Sequence, residues 1–206
     1  MKTKLILSAL FSTMILGLGS CSKDNPKEEL LPETKEASIN ATSKTTWHYF
    51  SLAENKVVGT GEENATDNTA WAARKDWDLA VSRYLVRTNS GAATSISAQG
   101  GVYTFGASTT FASVTAVPSG ATFVADKSIT SEGMGGKTTM VKSDAMVILF
   151  KKNDDGSMIM PPVYLQAPVY IFRTADGKGH YKLQFTQYQD ENKVTGHVKF
   201  YSAKIQ

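Results

Sequence analysis

A single cysteine, Cys21, stands among the 206 residues, so no disulfide can form within the chain and its stability must come from a packed core. Histidine is almost as scarce. His48, His180 and His197 are scattered, with no H-x-H or H-E-x-x-H spacing, which removes the usual zinc patterns. There is no G-x-S-x-G, P-loop or dinucleotide-binding glycine pattern, because Gly133, Gly135 and Gly136 lack the strand, the spacing and the lysine-serine ending. Acidic residues fall mainly in one polar segment and in turns, so no paired carboxylates suggest glycoside hydrolysis. Nothing in these absences leaves room for a recognisable enzyme. Charge of one sign is missing too: 22 basic residues face 19 acidic ones, with no basic stripe to neutralise phosphates, so nucleic acid is not an expected partner.

Only one long apolar run is present, and it is at the start. Lys2 and Lys4 precede an apolar stretch over 5–18, too short to span a bilayer comfortably, and Leu18-Gly19-Ser20 lead into Cys21. This resembles a lipobox. Residues 1–20 therefore read as a lipoprotein signal peptide cut before Cys21, whose thiol is explained by lipid attachment. Removing the leader's two lysines leaves 20 basic against 19 acidic residues, a nearly neutral mature chain anchored by lipid alone. Residues 21–44 are charged and polar, with two prolines and no aromatic, and are expected to form a flexible tether. Ser22-Lys23-Asp24 and Lys27-Glu28-Glu29 look like the lysine-plus-acid signal that sends some lipoproteins to the outer face of the outer membrane.

From 45 to 206 the texture changes to short β-rich runs broken by glycine, asparagine and aspartate, the pattern of one all-β domain with mostly antiparallel sheets. Strands are expected over 46–51, 77–87, 101–105, 145–151, 163–173, 180–188 and 196–203, and a short helix within 62–74. Turn chemistry at Asn153-Asp154-Asp155-Gly156 and Asp176-Gly177-Lys178-Gly179 predicts two antiparallel hairpins. Alternation in 181–188 puts Tyr181, Leu183 and Phe185 on one strand face.

Methionine is distributed unevenly. Outside the leader all five, Met134, Met140, Met146, Met158 and Met160, fall in 27 residues. Methionine fills irregular cores, but its thioether is also a soft, neutral ligand for copper(I) or haem iron. Met146, inside the apolar run 145–150, reads as core. Met134 among glycines, and Met158 and Met160 just before Pro161-Pro162, are candidates for either role.

Several motifs, in order, carry a resemblance: Trp47-His48-Tyr49-Phe50-Ser51; Trp77-Asp78-Leu79-Ala80 with Ser82-Arg83-Tyr84 and Arg87-Thr88-Asn89-Ser90-Gly91; Gly100-Gly101-Val102-Tyr103. Phe172-Arg173-Thr174-Ala175-Asp176-Gly177 and Lys182-Leu183-Gln184-Phe185-Thr186 with Tyr188-Gln189-Asp190 extend it over most of 47–200. The chain resembles the HmuY family of haem-binding lipoproteins. That resemblance implies a hand-like β fold gripping one haem and passing it to a TonB-dependent outer-membrane receptor, with host haemoproteins as a haem source. In the family's founding member two histidines ligate iron, from regions corresponding to about 133–140 and 157–162. Here both regions lack histidine and contain methionine. The resemblance therefore implies one axial ligand from Met134 or Met140 and the other from Met158 or Met160. Met134 with Met160 is preferred, because Met134 sits among glycines and Met160 directly precedes a rigid Pro-Pro. The competing reading is a surface adhesion or carbohydrate-binding lipoprotein in which the methionines only pack.

Overall fold

The computed structural model describes residues 33–133 and 136–206. Cys21, the leader, the first part of the expected tether and Met134 lie outside the described residues. The expected all-β architecture is present. Strands β1 (Lys35–Asn40), β13 (Thr195–Ile205), β12 (His180–Gln189), β11 (Tyr170–Arg173) and β6 (Gly101–Thr104) form, in that order, a five-stranded antiparallel sheet. Strands β3 (Lys56–Glu62), β2 (Thr46–Ser51), β4 (Leu79–Ser82) and β5 (Leu85–Thr88) form a four-stranded one. Two separate hairpins complete the set: β7 (Lys127–Gly133) with β8 (Gly136–Lys142), and β9 (Ile148–Phe150) with β10 (Tyr164–Gln166).

The two sheets pack face to face around one core. Phe50, Leu79 and Val81 from the four-stranded sheet meet Phe172, Leu183, Phe185 and Phe200 from the five-stranded one. Each such buried side chain contributes roughly 1.5–3 kcal/mol of burial free energy. A buried carboxylate ties the sheets together as well: Asp78 accepts from the Leu52 amide at 2.8 Å and from the Ala175 amide at 3.0 Å. Such a group is costly to bury alone, and burial raises its pKa.

The outer face of the four-stranded sheet is covered as well. Trp47, Tyr49, Trp77 and Ala80 point away from the main core and pack on Trp71 of helix α1 (Ala65–Ala72), which Asn64 caps by accepting from the Asp67 amide. Gly59 and Gly61 on β3 make room for it, since a Cβ on either would lie 2.6 Å from the Trp71 ring. On the five-stranded sheet the loop 105–124 plays the same part, laying Phe111, Val114, Val117 and Phe123 over Val169, Ile171 and Ile205.

Coverage on both faces explains one departure from sequence expectation. The run 77–87 is a hairpin, β4 and β5, joined by Arg83-Tyr84, with Arg83 at φ 54°. No glycine or asparagine marks that turn, and burial on both faces erases the alternation that would have split the strands. The run 163–173 likewise divides into β10 and β11, which belong to different sheets. Part of the expected tether is structured: Lys35–Asn40 is an edge strand paired along its length with β13, although only Ile39 is buried. One anchoring residue leaves too little apolar signal to read as a strand. Both predicted turns hold, joining β9 to β10 and β11 to β12 as antiparallel pairs. Helix α1 lies within the expected 62–74.

Candidate functional site

Four methionines lie among the described residues, and their positions follow from how the chain leaves the β5 edge. Residues 143–147 run along that edge and form a bridge between β8 and β9. The Val86 carbonyl accepts from both the Ser143 amide and the Ser143 hydroxyl at 2.8 Å, and the Tyr84 carbonyl accepts from the Val147 amide at 3.0 Å. Leu85 and Met146 make an antiparallel bridge. The two hairpins are thus rooted on one sheet edge, separated by five residues.

Before the bridge lies the β7–β8 hairpin. Ile129 faces Met140 across its ladder, and Gly133 pairs with Gly136 at its far end. Gly133 and Gly136 therefore serve a hairpin end, and Met134 lies outside the described residues. Apart from half-buried Val141 the rest of the hairpin is polar, with a Thr130–Thr139 hydroxyl pair at 2.9 Å. It is fastened from below. Asp126, buried just ahead of β7, accepts from the Thr88 amide at 2.9 Å and from the hydroxyls of Thr88 and Thr94 at 2.6 Å. Burial pushes the Asp126 carboxyl up to about 6, against the opposing pull of these bonds and of Arg87. Arg87 donates to the Val141 carbonyl at 2.9 Å, to Asn68 at 3.0 Å and to Glu63 at 2.6 Å, and lies over the Trp47 ring at 3.9 Å.

The β9–β10 hairpin follows the bridge and has two unlike faces. Phe150 and Tyr164 turn inward onto Tyr84 and Tyr188, with ring centroids 4.9–5.7 Å apart. Leu149 and Leu165, paired directly across the ladder, turn outward and are 39% and 43% exposed. Beyond them Met158 bridges to Lys152 and is 48% exposed, and Met160, before a cis Pro161, is 74% exposed. A cavity of about 180 Å³ opens beside this hairpin, lined by Val147, Ile148, Leu165, Phe185 and Tyr188 among others.

Met146 needs a correction. The expected continuous strand over 145–151 is only Ile148–Phe150, and Met146 is half-buried in the bridge, with the Lys142 ammonium 3.9 Å from its sulfur. Ala145, Val147 and Ile148 supply the buried positions instead. Met140 is half-buried, on the first hairpin, whereas Met158 and Met160 are on the second. Sequence reasoning missed Asp126, Arg87 and Tyr170, whose hydroxyl holds the Met146 backbone at 3.1 Å. Arg87 falls within a resemblance motif, but nothing local shows what any of the three binds, because their partners are 19 to 54 positions away.

The histidines stand on the sheets, on β2, β12 and β13, not on either hairpin. Burial lowers the pKa of His48, and burial together with Arg173 lowers that of His180. Among the described residues no group of three or more His, Cys, Asp or Glu side chains could hold a metal ion. Nor, among them, is any helix long and apolar enough to cross a membrane.

The model of the HmuY protein family matches residues 43–201. The chain belongs to the HmuY family. No curated protein matches it. Solved structures share the fold: a Bacteroides vulgatus protein described as HmuY-like and heme-binding aligns with a TM-score of 0.59 and 23% identity, covering 82% of this chain and 91% of its own. Apo PinO from Porphyromonas gingivitis gives 0.57 and 19%, covering 84% and 98%. The apo HmuY analog of Tannerella forsythia gives 0.55 and 21%, covering 86% and 100%. Both hairpins lie within the residues that the family model matches.

Proposed function

We propose that this HmuY-family chain binds haem between its two hairpins, with one axial thioether from Met134 or Met140 and the other from Met158 or Met160. Met134 with Met160 remains the preferred pair. Family membership supports haem binding, as does the heme-binding description of the Bacteroides vulgatus relative. The observation carrying the methionine assignment is the second hairpin. Met158, Met160, Val163 and Leu165 are 41–74% exposed and Leu149 is 39% exposed, five of the domain's large exposed apolar side chains gathered on one hairpin, while Val57, Ile96, Val194 and Tyr201 are scattered over other elements.

The residues fit the group. Haem is a flat ligand with apolar faces and two propionates at one edge, and burial of those faces against apolar side chains dominates affinity at such sites. Haem iron supplies axial positions that accept neutral sulfur donors. Leu149, Val163 and Leu165 would cover porphyrin surface. Ile129, half-buried opposite Met140, would do the same from the first hairpin. The thioethers would orient the ligand, and neither needs to lose a proton to do so.

Delivery to a TonB-dependent receptor, haem capture from host haemoproteins, and attachment to the outer membrane by lipid on Cys21 complete the reading. The signal-like leader and lipobox support the last of these. An absorbance titration with haem and, in parallel, with metal-free porphyrin tests the site. A Soret shift on adding haem, with markedly weaker binding of the metal-free ring, is expected. Equal binding of both would remove iron ligation, and no change with either would leave the adhesion or carbohydrate-binding reading.

A further inference from the structure

Two ligands on two separate hairpins can meet one iron only if the hairpins keep a fixed spacing, and that spacing is set where they are rooted. The bridge 143–147 is the only backbone between them. On one side it is stitched to β5 through the Val86 and Tyr84 carbonyls. The Ser143 hydroxyl, which donates to Val86, also accepts from the Ala145 amide at 3.1 Å, so the first half of the bridge is a closed turn. The second half is held from the opposite sheet. Tyr170, on β11 and 1% exposed, reaches across the core, and its hydroxyl accepts from the Met146 amide and donates to the Met146 carbonyl, both at 3.1 Å. One phenol thus satisfies both polar groups of a single bridge residue. No hydrogen bond among the described residues otherwise ties the bridge to the five-stranded sheet.

We propose that Tyr170 is a positioning residue: by gripping both backbone groups of Met146 it fixes the spacing of the two methionine-bearing hairpins, and with it the ability of both thioethers to reach one iron. This rests on the haem reading above, but its structural half does not need haem. Loss of the hydroxyl leaves the ring in the core and frees only the bridge, because Phe fills the same space.

The experiment uses Tyr170→Phe, with Val198→Ala as a control for lost stability. Val198 is a buried core residue on β13, which pairs with β1 and β12. In a Cys21→Ser background, nitroxides placed through Lys137→Cys and Asp154→Cys report the distance between the hairpins by pulsed electron resonance without haem. Ferrous haem then reports ligation. Tyr170→Phe is expected to broaden the distance distribution, to replace the six-coordinate low-spin spectrum partly with a five-coordinate one, and to speed haem loss at least tenfold. Val198→Ala is expected to lower thermal stability while leaving distance and spectrum unchanged. An unchanged distance distribution in Tyr170→Phe overturns the inference whatever haem does. Equal spectral loss in both variants overturns it also. A broadened distance distribution in Tyr170→Phe together with a wild-type chain that binds no haem overturns the haem reading and confines Tyr170 to shape.

Discussion

The two hairpins that leave the β5 edge are built on opposite plans. β7–β8 is polar along its ladder and is held at its base by buried charge, Asp126 beneath β7 and Arg87 beneath β8. β9–β10 is apolar on its outer face and held by four aromatic rings on its inner one. Charge-assisted hydrogen bonds are directional and aromatic packing is adaptable, so the first hairpin is pinned in angle while the second is seated on a surface. A ligand between them would meet one rigid arm and one accommodating arm. The exposed sulfurs are on the accommodating one.

The largest effect should come from the charged base. Arg87→Ala removes a side chain that bonds three partners and stacks on Trp47, and leaves the Glu63 carboxylate without its counter-ion. Because Glu63 is partly exposed, the expected loss is about 3 kcal/mol, the low end for a broken buried pair. Denaturant unfolding measures it, and hydrogen exchange should show β7–β8 opening before β9–β10. If both hairpins open together, the difference in their anchoring is not real.

Next in size is a pH effect specific to the first hairpin. The Asp126 carboxyl is raised from 3.8 to about 6, so its contribution to stability is complete below 3.8 and is lost as pH rises through about 6. That amounts to at most about 3 kcal/mol between pH 4 and pH 7. Asp126→Asn should abolish this part of the pH dependence. Carboxyls with lowered values, Glu63 among them, act in the opposite sense, so the variant's difference from wild type is the quantity to measure. No such pH-dependent difference is expected for Tyr164→Ala on the second hairpin, which should lose about 2 kcal/mol at every pH from partial burial.

These contrasts also govern what could be read from sequence. The second hairpin announced itself, because Asn153-Asp154-Asp155-Gly156 is strong turn chemistry between apolar runs. The first did not. Its strands, KSITSEG and GKTTMVK, are mainly polar, with only Ile129, Met140 and Val141 as half-buried apolar side chains, and the glycines read as the setting of a candidate ligand methionine rather than as a hairpin end. Edge strand β1 was hidden for a related reason, since its stability comes from β13 and not from its own side chains. The methionine cluster was visible as composition, but composition does not separate Met146 in the bridge from Met158 and Met160 on an exposed arm. Tyr170 was legible only as a buried aromatic on a strand. That its hydroxyl meets residue 146 depends on the packing of two sheets.

The smallest effect should come from the exposed ladder of the first hairpin. Thr139→Ala deletes the hydroxyl pair with Thr130 and should cost about 0.2–1 kcal/mol, detectable as faster exchange in β7–β8 alone. A larger loss would mean that this hairpin depends on its ladder and not on Asp126 and Arg87.

Iron ligation by two thioethers is open to a direct test. Ferrous haem titrated into the wild-type chain, Met134→Ala, Met160→Ala and the double variant gives both affinity and coordination from one set of spectra. Six-coordinate low-spin haem in the wild type, a five-coordinate form in each single variant and weak, unligated binding in the double variant are predicted. A double variant with the wild-type spectrum and affinity would contradict this pair as the ligands.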